Sequence, residues 1–136
     1  MADEIERYRL KPAQVLSRRN RDVYLWGLPM KLNDPGTRLD PTVKETHFEG
    51  RDVYELRVTY DPGVGSDTWY FFLDRGTCAL VGHRFHHGTS AGDGEYAVFS
   101  DEISGQGLRL PRVRRWYTNT DKKPVITHTI LSITAP

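Results

Sequence analysis

Tyr54-Glu55-Leu56-Arg57-Val58-Thr59-Tyr60 sets the fold class. Its apolar residues alternate with Glu55, Arg57 and Thr59, which is the period of a half-buried strand. After the turn residues Asp61-Pro62-Gly63 and Gly65-Ser66-Asp67 comes Thr68-Trp69-Tyr70-Phe71-Phe72-Leu73. This stretch is aromatic on both faces, with Trp69, Phe71 and Leu73 on one and Tyr70 and Phe72 on the other. A sheet with one wet face would not place rings on both sides, so the second face must be covered, line a pocket or form an interface.

The same reading extends outward from this pair. Gly50-Arg51 predicts a hairpin back to Thr42–Phe48, and Asp74-Arg75-Gly76-Thr77 a tight turn into Cys78–His86. Gly88–Gly94 reads as a polar loop and Glu95–Ser100 as a short strand. Ser104–Gly107 leads into Leu108–Thr118, and Asn119–Lys123 turns into Val125–Ile133. The spacing gives about seven strands, and short loops between neighbours predict antiparallel pairing.

Upstream the period lengthens. Val15, Leu16, Val23 and Trp26 recur at helical spacing, with Ser17 a candidate N-cap and Gly27 followed by Pro29 a candidate stop. A helix of about ten residues ending near Trp26 is predicted. The Asn, Asp, Pro and Gly of residues 32–41 mark a connector. The expected fold is mainly β: a curved antiparallel sheet, or half-barrel, with one N-terminal helix. Residues 1–136 are expected to make a single domain, with a helical segment over 1–31 and a meander over 42–134. One helix cannot cover such a sheet. It lies across the hollow as a plug, or the hollow remains an apolar surface for a ligand or partner.

Composition narrows the functional classes. Nineteen Lys and Arg against eighteen Asp and Glu leave a net charge of +1, which supplies no footprint for nucleic acid. Seven of the basic residues fall within residues 1–31, beside four acidic ones. No apolar run approaches bilayer length, and no signal peptide opens the sequence. The single Cys78 excludes an internal disulfide. Its setting in Cys78-Ala79-Leu80-Val81 predicts a small buried core residue rather than a nucleophile.

His83, His86 and His87 form the densest group of metal-ligating side chains, and His47 or His128 is a possible complement. In a strand His83 and His87 share a face while His86 takes the other, so a solvated strand end is the simpler reading. Gly-x-Ser-x-Gly and His-Glu-x-x-His are absent, Asp101-Glu102 reads as solvated surface, and no motif implies a cofactor. Gly92-Asp93-Gly94 and Gly63-Val64-Gly65 read as turns, since a phosphate cradle needs a helix to follow. Arg112 and Arg114 share a face with Trp116, whereas Val113, Arg115 and Tyr117 share the other; arginine stacked on Trp116 is the structural expectation.

Tyr24-Leu25-Trp26-Gly27-Leu28-Pro29-Met30-Lys31-Leu32-Asn33-Asp34-Pro35-Gly36, the strands Asp52–Tyr60 and Thr68–Asp74, Thr77–Phe85 and Gly107-Leu108-Arg109-Leu110-Pro111 together resemble a bacterial family of uncharacterised proteins, the DUF6503 type. The wider pattern is similar to the LolA-like half-barrels that carry lipoproteins. The resemblance implies an acyl chain or apolar peptide held in the hollow of the sheet. It also implies longer relatives with further N-terminal strands and an exported or periplasmic location.

The expected function is a non-enzymatic binding domain for an apolar small molecule, lipid or peptide. Trp69, Phe71, Phe85, Tyr96, Trp116 and Tyr117 are the expected lining residues, with affinity from hydrophobic burial and orientation from polar groups at the rim. The alternative is an interaction module whose apolar face is covered by a second subunit, as in a homodimer, or by a further domain. A metal-dependent enzyme built on the histidines ranks third.

Overall fold

A computed structural model describes residues 11–88 and 92–135. The first ten residues of the basic N-terminal segment and the centre of the Gly88–Gly94 loop lie outside the described residues. The chain forms two compact units, one ending at Pro35 and the other beginning at Gly36.

The first unit carries helix α1, Pro12–Trp26, and a short 3-10 helix, Met30–Asn33. The helix is 15 residues long and starts five positions before the Ser17 predicted as its cap. Pro12 at the first position explains this, because its fixed φ is already helical and its missing N–H would have no intrahelical acceptor. The Lys11 N–H instead donates to Gln14 Oε1 at 3.2 Å. The C-terminal end falls where glycine predicts it, with the Gly27 N–H donating to the Val23 carbonyl at 3.0 Å. Leu25 is the buried side chain of the helix, while Leu16 and Val23 are exposed.

The described residues of the second unit form a sheet of eight strands, all antiparallel: β1 Thr37–Leu39, β2 Lys44–Phe48, β3 Arg51–Tyr60, β4 Thr68–Asp74, β5 Leu80–His86, β6 Glu95–Gly105, β7 Leu108–Thr118 and β8 Pro124–Thr129. From β3 to β8 each strand pairs with the next. The β1 and β2 strands both pair with β3, against Val58–Tyr60 and Arg51–Glu55 respectively, so they form one interrupted edge. The interruption is at Asp40-Pro41, where proline has no N–H to donate and the Asp40 carboxylate accepts from the Thr42 N–H at 2.9 Å. No described strand joins β8 to this edge, so the sheet is open. The seven strands of the sequence reading are β2 to β8; β1 is an eighth, drawn from the segment read as a connector.

Two hairpins are closed by two-residue turns with positive φ at both positions, Glu49-Gly50 and Gln106-Gly107. This is the type I′ geometry that matches strand twist. Bulges leave Val81 unpaired between β4 and β5 and Val125 unpaired between β7 and β8, which adds twist at both places.

Both faces of the sheet are packed. One carries Phe48, Val53, Phe72, Val81 and Tyr96 as a buried cluster, flanked by Tyr70, Val98 and Tyr117. Phe48 stacks on Phe72 at 4.0 Å, and Tyr96 on Tyr117 at 5.2 Å. We call this the tyrosine face. The opposite face, centred on His83, is the histidine face.

Candidate functional site

Alternation along each strand and the register between strands build the histidine face. Val58 lies opposite Trp69, and Trp69 opposite Phe85. One row further, Leu56, Phe71, His83, Ala97, Trp116 and Ile126 follow one another from β3 to β8. In the next row Phe99 faces Arg114, and Arg114 faces His128. Val58, Phe71, His83 and Ala97 are fully buried, Phe99, Arg114 and Trp116 nearly so, and Trp69 and Phe85 half-buried.

His83 is enclosed by rings. The centroid of Trp116 lies 4.9 Å away, Trp69 5.2 Å, Phe99 5.3 Å and Phe71 6.1 Å, all with their planes steeply inclined to the imidazole. Among the described residues neither His83 Nδ1 nor Nε2 has a hydrogen-bond partner, and neither does the indole Nε1 of Trp116. A neutral imidazole has one donor and one acceptor. Aromatic faces can receive the donor, and ring-edge C–H groups can approach the acceptor lone pair, but both contacts are weak. Burial pushes the His83 pKa down to about 3, and the nearby Arg114 guanidinium adds to the effect. The ring is therefore neutral at physiological pH. Arg114 sits over Phe99 at 4.8 Å, and burial lowers its pKa to about 10, so it remains charged.

A polar rim closes the β5 end of this face. The His87 ring packs on Phe85 at 5.0 Å, and its Nδ1–H donates to Asp67 Oδ1 at 2.9 Å, which raises its pKa. The His87 backbone N–H donates to Asp93 Oδ1 at 2.9 Å. Asn119 donates through Nδ2 to the carbonyls of Phe85 and Asp93, at 2.9 and 2.6 Å. Gly94 has a φ of 82°, and a side-chain carbon there would lie 2.9 Å from the Phe85 carbonyl carbon. Glycine is required at that crossing.

The six residues expected to line one site are divided between the faces. Trp69, Phe71, Phe85 and Trp116 meet around His83, whereas Tyr96 and Tyr117 lie behind the sheet in the Phe48 cluster. Tyr96 and Tyr117 stand opposite each other on β6 and β7, Tyr96 buried in that cluster and Tyr117 half-buried at its flank. The three histidines are also divided. His83 and His87 occupy one face, and His86 the other, where its Nδ1–H donates to the Asp93 carbonyl at 3.0 Å. His47 pairs with Asp52 at 2.6 Å, and His128 lies beside Trp116 at 6.4 Å. Among the described residues no three His, Cys, Asp or Glu side chains converge as metal ligands.

Cys78 corrects the sequence reading. It is exposed, with φ 57°, in the loop before β5 and not within the strand. The cause is Asp74, whose carboxylate accepts from the Gly76 and Thr77 N–H groups and from the Thr77 hydroxyl, at 3.0, 2.9 and 3.0 Å. These bonds lower the Asp74 pKa and close the turn around Cys78. Sequence reasoning placed Arg114 on the Trp116 face and missed its burial; only the position of β7 between β6 and β8 determines that.

An open, antiparallel, mainly β sheet preceded by one helix defines the class of protein. The chain belongs to the family of unknown function DUF6503, which matches over residues 13–132. No curated protein matches it. No solved structure matches it. Among the described residues no helix is long and apolar enough to cross a membrane.

Proposed function

We propose that the histidine face is a binding surface for an apolar molecule that carries one uncharged polar group, such as a hydroxyl. The observation that carries this reading is the buried His83 imidazole, with both nitrogens unpartnered, beside the unpartnered indole N–H of Trp116. Leaving such groups unpaired costs about 1–3 kcal/mol each. A single hydroxyl can accept from the indole N–H and donate to the acceptor nitrogen of the imidazole, so one ligand group would satisfy two of the three unpartnered atoms. Trp69 and Phe85, both half-buried, then supply apolar contact area, and the His87–Asp67–Asp93 rim supplies polar groups at the margin.

Native mass spectrometry on protein prepared without detergent, then loaded with 1-dodecanol, provides the test. Extra mass that is lost on denaturation is expected. Trp69→Ala should abolish retention with a small loss of melting temperature, because Trp69 is half-buried. Tyr117→Ala, on the opposite face, should lower the melting temperature and leave retention intact. Protein that carries only its sequence mass and retains no dodecanol overturns the proposal, as does equal loss of retention in both variants.

A further inference from the structure

The free edge of the sheet carries a feature that the binding face does not use. Val125-Ile126-Thr127-His128-Thr129-Ile130-Leu131 reads nearly the same in both directions about His128. Thr127 matches Thr129, Ile126 matches Ile130, and Val125 matches Leu131. No residue from Pro124 to Ala135 is charged.

The backbone of this stretch is positioned to pair. The Ile130 N–H donates to the Arg112 carbonyl at 2.9 Å, and His128 and Ile126 follow in the same register against Arg114 and Trp116. In an antiparallel ladder the intervening residues direct their N–H and C=O groups away from that neighbour. Thr127 and Thr129 therefore present theirs outward, and no described residue pairs with them. Beside them the side chains of Val125, Ile126 and Leu131 are exposed at 48%, 51% and 84%. Edge strands are usually protected by charges, prolines or bulges within the pairing stretch. Here Pro124 and the bulge at Val125 mark only its start, whereas the opposite edge is broken at Asp40-Pro41 and carries Arg38, Lys44 and Glu45.

We infer that β8 pairs with β8 of a second copy of this chain, antiparallel and centred on His128. That register sets Thr127 opposite Thr129 of the other copy as a hydrogen-bonded pair, Ile126 opposite Ile130, and Val125 opposite Leu131. These are the Thr–Thr and β-branched cross-strand pairs that stabilise sheets. It brings no like charges together. A contact of seven residues a side falls below the roughly 1,200 Å² of a stable interface, so the dimer is a weak one. The inference does not depend on the proposed ligand.

Sedimentation of the full chain in reductant, which keeps the exposed Cys78 from cross-linking, tests it between about 10 µM and about 1 mM, the range a small interface requires. The mass is expected to rise from monomer to dimer and stop. The double substitution Thr127→Glu with Thr129→Glu sets like charges opposite each other and should hold the protein monomeric. Thr127→Glu with Thr129→Lys sets opposite charges together in this register and should restore the dimer. Circular dichroism confirms that both variants are folded. Should either misfold, Thr127→Pro replaces them; it removes an outward N–H, leaves the β7 ladder intact and should abolish association. A wild-type monomer across the range overturns the inference, as does a dimer that persists with two glutamates, or identical behaviour of the two charged variants.

Discussion

At the scale of single residues, His83 is the group whose environment does most. Its folded-state pKa of about 3 lies below the ordinary histidine value of 6.5. Between these values the unfolded chain takes up a proton that the folded chain refuses. Stability is therefore complete above pH 6.5 and falls as the pH drops toward 3, by about 1.4 kcal/mol per pH unit for this one group. Urea unfolding at pH 7 and pH 4 measures the slope, and His83→Phe should make it shallower by that amount while leaving neutral-pH stability similar. An unchanged slope would mean that the folded protein can protonate His83. The strand position of His83 and the face it shares with His87 were legible in the sequence, because alternation is a local property. Its enclosure was not, because Trp69, Phe99 and Trp116 reach it from three other strands, and pairing order is not written in any one of them. Cys78 failed for the opposite reason. Its apolar neighbours suggested a strand, but a side chain four residues earlier had already committed the backbone to a turn.

At the scale of elements, the alternating strands β3 and β4 and the glycine turns were readable, since period and turn chemistry act within a few residues. The start of α1 was misplaced because a proline at the first helical position outweighs a serine cap. The β1 strand was missed because three residues carry no period of their own; only β3, extending past β2, gives them a partner. Gly82 shows how closely the elements fit. A side-chain carbon there would lie 2.6 Å from the Ala97 carbonyl oxygen and 2.9 Å from Phe48 Cζ. Its glycine lets Phe48 lie flat on Phe72. Gly82→Ala must displace that ring and should cost about 1–3 kcal/mol in urea denaturation, the usual range for overpacking a core. A loss near zero would show that both the Phe48 ring and the Ala97 carbonyl have room to move.

At the scale of the whole molecule, the sheet is stiff in the middle and open at one margin. The amides of Val58, Phe71, His83 and Ala97 should exchange slowest with deuterium, close to the global unfolding limit, because these four residues are fully buried. The outward amides of Thr127 and Thr129 should exchange fastest among strand residues in dilute solution and slow down as concentration rises. Mass-spectrometric exchange at two concentrations reads both effects. Uniform protection across β3 to β8 would contradict this gradient.

The interruption at Asp40-Pro41 has a consequence for how far assembly can go. A sheet with two clean margins could recruit copy after copy into a fibre. Here one margin is spoiled by a proline, an aspartate turned back on its own backbone, and flanking charges. Once two copies have joined through β8, both outer margins of the pair are spoiled ones. Growth stops at two, and a short connector on the far side of the sheet acts as the terminator.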